Sequence, residues 1–212
     1  MEVSMKQHFL KNPFIRFCLY GFLFVSILGT LAHFFYDWSG QNPVVGLFCP
    51  VNESTWEHMK LIFFPMLFYY CFTYSKLEKC YPFSSSTYPL SILIGTWLIP
   101  IIFYSYSGIL GFHLAVLDIL TFYVSVFFAF LFFYVLTKDT PSSLESKTDL
   151  SRQNKIYLWL MKLKPLFNLT VFLFVLLFIL FTYHPPMLGI FEQPEALTEM
   201  FSCNSISCRY FS

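Results

Sequence analysis

The sequence predicts an all-α fold, a polytopic membrane bundle of about five transmembrane helices. Its N-terminus is expected in the cytoplasm and its C-terminus outside. Three observations carry that expectation. Charged residues make up 12% of the 212-residue chain, about half of the roughly 25% usual in a soluble domain. The apolar residues, 57% of the total, fall in long runs. Only lipid can solvate so much apolar surface. The 13 Lys and Arg are also unevenly spread. With five crossings, all but Lys60 and Arg209 fall on the N-terminal side, which makes that side cytoplasmic.

Each element follows in order. Residues 1–16 are a basic cytoplasmic start with Lys6, Lys11 and Arg16. Residues 18–36 form the first span. The run is too long for a signal peptide and has no clear small-x-small cleavage site, so it is expected to be retained. Residues 37–53 form an external loop broken by Gly40, Pro43, Gly46 and Pro50. The second span, 54–75, has a purely apolar part of only 13 residues, Leu61 to Thr73. A crossing needs about 20, so the helix must recruit Ser54 to Lys60. That draws Glu57 and His58 into the outer part of the bilayer.

The third span is expected over 88–104, with Pro89 in its first turn and Pro100 as a kink. Ser105 to Gly108 reads as a tight turn, and 109–136 as one long fourth span. Residues 137–165 combine a charged cytoplasmic linker with an interfacial helix over 150–164, where Trp159 and Leu160 mix with lysines. Pro165 is expected to separate that helix from the last span, 166–183. Residues 184–212 form an external tail.

On this map four of the five histidines, all but His8, fall on or near the external side, with Asp37, Glu53, Glu57 and Asp118 beside them. Glu53 and Glu57, four residues apart, would share one helical face, with His58 about 100° away. Two carboxylates on one face hold a metal or share a proton. Ser54-Thr55-Trp56-Glu57 equally fits a capping box, with Asn52 as another cap and Trp56 as an interface anchor. An Asp inside an apolar helix marks a functional site by default, which singles out Asp118. Asp118 and His113 would stand about 140° apart around the helix, so they need not touch the same ligand. Asp118 would orient His113. His33 would share a face with Asp37 one turn on.

The candidate metal ligands are therefore His33, His58 and His113. Glu53 and Glu57 are the candidate carboxylates for ligation or general-base work, and Asp37, Asp118 and Asn52 would support them. A divalent metal such as zinc suits mixed His and carboxylate ligands with an open water position. The leading expectation is a metal-assisted hydrolase acting on a lipid or peptide at the outer leaflet. Two alternatives stand beside it. A small proton- or cation-coupled transporter would need polar groups at several depths. A non-catalytic assembly, sensor or protective partner would use the external loop and tail as an interaction surface. The net charge of +1 argues against nucleic acid as a partner. The six cysteines include no CxxC pair, although Cys49, Cys203 and Cys208 share the external side and could pair there.

The stretches Trp38-Ser39-Gly40, Asn42 to Phe48 and Pro50-Val51-Asn52-Glu53-Ser54-Thr55-Trp56-Glu57-His58-Met59-Lys60 together form a pattern. It resembles an uncharacterised family of bacterial multi-pass membrane proteins. The resemblance takes in His33, Gly108 to Asp118 and Tyr183-His184-Pro185-Pro186, and extends to about Pro194. It implies a bundle in the bacterial cytoplasmic membrane and brings no activity with it.

Overall fold

The structure, a computed structural model, describes residues 12–81, 83–138 and 155–194. Its helices in chain order are α1 (Pro13–Trp38), the short α2 (Pro43–Gly46), α3 (Thr55–Cys80), α4 (Ser84–Leu110), α5 (Ala115–Thr137) and α6 (Lys155–Tyr183). A single 3-10 turn, Gly189–Phe191, follows. In four of these, α1, α4, α5 and α6 from Leu158 onward, the chain is long and apolar enough to cross a membrane. Their outer faces carry large apolar side chains, such as Phe127 and Leu131 on α5 and Phe172 and Leu176 on α6. In water such surfaces would associate; in lipid they are solvated. The chain is a helical-bundle membrane protein.

Helix α3 shows why the second span looked short of apolar residues. It has 26 residues, as many as α1, yet it is less apolar than the four others. It packs against α1, α4, α5 and α6. Met59 to Met66 are all buried. The first half of this helix faces protein, so lipid solubility does not constrain its composition there. Close approach helps: a Cβ on Gly29 of α1 would fall 2.5 Å from the Leu61 carbonyl oxygen.

Helix α1 starts before the expected residue 18, α3 runs past 75 and α4 starts before 88, and three further boundaries change how the chain turns. Helix α4 continues through Ser105 to Gly108. The hydroxyls of Ser105 and Ser107 bond back to the carbonyls of Ile101 and Phe103, so these polar residues cap their own helix backbone instead of breaking it. The reversal comes at Gly111, whose φ of +79° ends the helix in the left-handed region. The expected single helix over 109–136 therefore starts only at Ala115. Pro165 does not separate two helices either. Residues 155–164 are the first turns of α6, and Lys164 reaches Glu78 of α3 at 3.9 Å. A membrane helix tolerates the one backbone bond that Pro165 removes. The remaining linker (139–154), the first 11 residues and 195–212 lie outside the described residues, and the expected pairing of Cys203 and Cys208 lies there with them.

Trp56 is also not an interface anchor. It is buried, with its ring centroid 4.8 Å from Phe178 and 4.9 Å from Phe191. The start of the C-terminal segment thus folds back over the end of the bundle, where α1, α4 and α6 finish and α3 and α5 begin.

Candidate metal centre

The candidate residues gather at that same end. His33 lies just over a turn before the end of α1. Glu53 lies in the connection from α2 to α3, two residues before the helix begins, and so does not share a helical face with Glu57. His58 is in the first turns of α3. The His33 Nε2 is 3.5 Å from Glu53 Oε2, and the His58 Nε2 is 3.4 Å from the same oxygen. The two imidazole centroids are 5.3 Å apart. One ligand atom from each of the three residues lies within 4.8 Å of the others, a spacing that one cation could bridge.

Helix capping fixes His58. Ser54 is the N-cap, and its hydroxyl accepts from the Glu57 N–H at 3.4 Å. Asn52 Oδ1 accepts from the Ser54 N–H at 2.9 Å, so Asn52 shapes the turn that feeds the helix. The Ser54 carbonyl lies 3.0 Å from His58 Nδ1. A carbonyl oxygen only accepts, so Nδ1 carries the proton. In neutral His58 the Nε2 lone pair then faces the Glu53 carboxylate, and two acceptors stand opposite each other. A proton or a metal cation must lie between them. Metal-binding histidines show this same arrangement, one ring nitrogen donating to a backbone carbonyl and the other free for the ion. The two histidine partners hold the Glu53 carboxyl well below the usual carboxylate range, with His33 first and His58 second in effect.

Glu57 has a different fate. It is 2% exposed, and its Oε2 takes the Lys60 ammonium at 2.6 Å and the Val51 N–H at 3.0 Å. Lys60, 0% exposed, donates also to the Gly46 carbonyl at 3.0 Å and to the Thr182 hydroxyl at 2.7 Å. All three ammonium protons are used. The capping box is half formed: Ser54 caps Glu57, while the Glu57 carboxylate turns to Val51 and Lys60 and not to Ser54. Gly46 makes this possible, because a Cβ there would fall 2.7 Å from Val51 Cγ1. Glu57 is therefore not available to the His33–Glu53–His58 group.

His113 and Asp118 form a second constellation. The turn after Gly111 brings His113 Nδ1 to 3.0 Å from Asp118 Oδ2, so the two touch directly. Asp118 sits in the first turn of α5, where the helix dipole favours its negative charge. Its other oxygen accepts a hydrogen bond from the Tyr106 hydroxyl. The His113 Nε2 is buried and has no hydrogen-bond partner among the described residues. His113 does not join the three-residue group, though Asp118 lies near enough for its charge to act on His58. Asp37 stays exposed in the last turn of α1, and its carboxylate has no partner among the described residues.

The model of one family, described as Family of unknown function (DUF6512), matches residues 5–146. The chain belongs to this family. The match covers His33, Glu53, His58, His113 and Asp118. It stops before α6, which supplies Thr182 to the Lys60 cluster. No curated protein and no solved structure matches the chain.

Sequence reasoning did not single out Lys60 or Tyr106. Lys60 carried a signal all the same. It is one of two basic residues that the five-span expectation sets apart from the rest, stands three residues after a glutamate, and opens an apolar run. Tyr106 carried none, since it is one of 14 tyrosines.

Proposed function

We propose that this membrane protein binds a divalent metal ion, zinc by its ligand chemistry, through His33, Glu53 and His58 on the external face, and that the metal serves a hydrolytic reaction at the outer leaflet. The observation that carries the reading is the His58 tautomer. With Nδ1–H committed to the Ser54 carbonyl, Nε2 and the Glu53 carboxylate face each other across a proton or a cation, and the His33 Nε2 beside the same oxygen supplies the third ligand atom that favours a metal. Two imidazoles and one carboxylate leave an open position for water on a tetrahedral ion. Such an ion lowers the pKa of its water and supplies hydroxide at neutral pH.

In this reading the acid–base group is His113. Asp118 holds its Nδ1 side and Tyr106 holds Asp118, while Nε2 is left free, as general acid–base work requires. The substrate class is a lipid or peptide presented at the outer leaflet. The transporter alternative finds less support. Between the two ends of the bundle the buried polar side chains are hydroxyls such as Ser91, Thr96 and Ser125, each bonded to its own helix backbone. These offer no chain of titratable groups among the described residues.

The test is the metal content of protein purified in detergent and reloaded with zinc, for the parent, His33→Ala, Glu53→Gln and Glu57→Gln. The expected result is one zinc per parent chain and loss in the first two variants. Their loss should exceed the roughly 10–100-fold drop in affinity that removal of an outer partner causes. A parent that binds no zinc, nickel, cobalt or manganese would end this proposal. The hydrolytic half is read separately, from cleavage of a labelled phospholipid or peptide by zinc-loaded protein in vesicles. Activity there should vanish in His113→Ala with metal retained.

A further inference from the structure

We propose that the buried Lys60–Glu57 pair is a positioning clasp for the metal centre. It holds the connection between α2 and α3 so that Glu53 stays opposite His33 and His58. The inference rests on the metal-binding reading above.

Glu53 cannot position itself. Its side chain is 62% exposed and, among the described residues, pairs only with the two histidines. What fixes it must act through its backbone. Two residues upstream, the Val51 N–H donates to Glu57 Oε2. Glu57 is in turn held by Lys60. The remaining two Lys60 protons reach Gly46, at the end of α2, and Thr182, in the last turn of α6. One ammonium group therefore ties three separate parts of the chain together, within one turn of His58. The neighbouring Tyr183 hydroxyl adds a fourth tie, donating to the Pro43 carbonyl at 2.5 Å.

Stability alone does not account for this arrangement. A buried ion pair is often no more stabilising than apolar residues of the same volume. What it contributes is a single geometry, since each of its partners must be met at once. A flexible loop would lose entropy whenever Glu53 closed on a metal. A loop already clasped has lost it on folding, and binding is tighter for that reason.

The experiment compares zinc affinity, by competition with a chelator, and the visible spectrum of the cobalt-loaded protein. The variants are Glu57→Gln/Lys60→Met, which replaces the pair with neutral groups of similar size, and Thr87→Val as a control. Thr87 makes a buried hydrogen bond to Thr137 at the opposite end of the bundle, so its loss perturbs stability without touching the loop. The expected result is a folded double variant that binds zinc roughly 10–100-fold more weakly, with an altered cobalt spectrum, and a control at parental affinity. Thr182→Val keeps the ion pair and removes one tie. It should lower zinc affinity about threefold, and provides the reading if the double variant does not fold. Parental zinc affinity in both the double variant and Thr182→Val would overturn the clasp and leave the metal centre standing. So would an equal loss in the Thr87→Val control. A parent that binds no metal would instead remove the proposed function itself.

Discussion

Glu53 and Glu57 are four residues apart, and the protein treats them in opposite ways. Glu53 precedes the helix, is mostly exposed, and faces two imidazoles. Glu57 is in the first turn of the helix, enclosed, and meets a lysine and a backbone amide. The first faces groups that a proton or a cation must bridge, and the second already holds its cation. A carboxylate whose neighbours leave room for a cation is suited to binding. A buried carboxylate with an oxygen shared by an ammonium and a backbone amide is suited to holding structure. The chemical type is the same, and the number of satisfied contacts separates the two.

The sharpest way to break the contrast is Lys60→Met alone. It leaves Glu57 charged, buried and without its cation, and should cost about 3–5 kcal/mol of stability. Adding Glu57→Gln should recover most of that loss. Unfolding in detergent reads both. If Lys60→Met is as stable as the parent, Glu57 is not the enclosed structural member described here. Glu53→Gln, by comparison, should change stability by under about 0.5 kcal/mol because the group is exposed.

Asp118→Asn tests whether the His113 constellation is separate from the metal. It weakens the contacts to Tyr106 and His113, and a thermal midpoint shift equivalent to about 1–3 kcal/mol is expected. Zinc content should stay at the parental level, because Asp118 touches none of the three ligands. Zinc loss in this variant would merge the two groups into one site.

The mildest probe is pH. Protons compete with a metal for imidazole nitrogen, and an ordinary histidine titrates near about 6.5. Zinc affinity should fall at least about tenfold between roughly pH 7.5 and 5.5. Glu53 does not share in that fall. Its carboxyl is held below the usual carboxylate range. Its contribution to the folded state is complete above the ordinary carboxylate range and is lost only as pH drops through the lowered value. Affinity that is flat over this pH window would mean that the histidines are not ligands.

The fold class was legible because hydropathy is a property of single segments. Runs such as Val171 to Thr182 are apolar whatever packs beside them. The enclosed α3 was legible only in part, since its sparse apolar content reflects its neighbours rather than its own solvent. The gathering of His33, Glu53 and His58 on one side was readable from charge and span order. Their contact was not, because it joins residues 20 and 5 positions apart across a loop. Asp118 was expected to orient His113 and does touch it, but the expected placement of both on one helix was wrong for a local reason. The helix ends at Gly111 instead of Tyr104, and a shift of a few residues turns two faces of one helix into a loop residue and a first-turn residue that touch.

The sequence by itself determined that this chain belongs in lipid and that four of its five histidines gather toward one end of a helical bundle, and it offered Ser54 as a helix start. Those outcomes depend on composition, spacing and local hydrogen bonding. Tertiary structure alone decided which of two neighbouring glutamates is enclosed. Burial of Lys60 against Gly46 and Thr182 requires a loop and a helix from distant parts of the chain, 14 and 122 residues away. No local pattern encodes whether those carbonyl and hydroxyl partners will be in place to satisfy a buried charge.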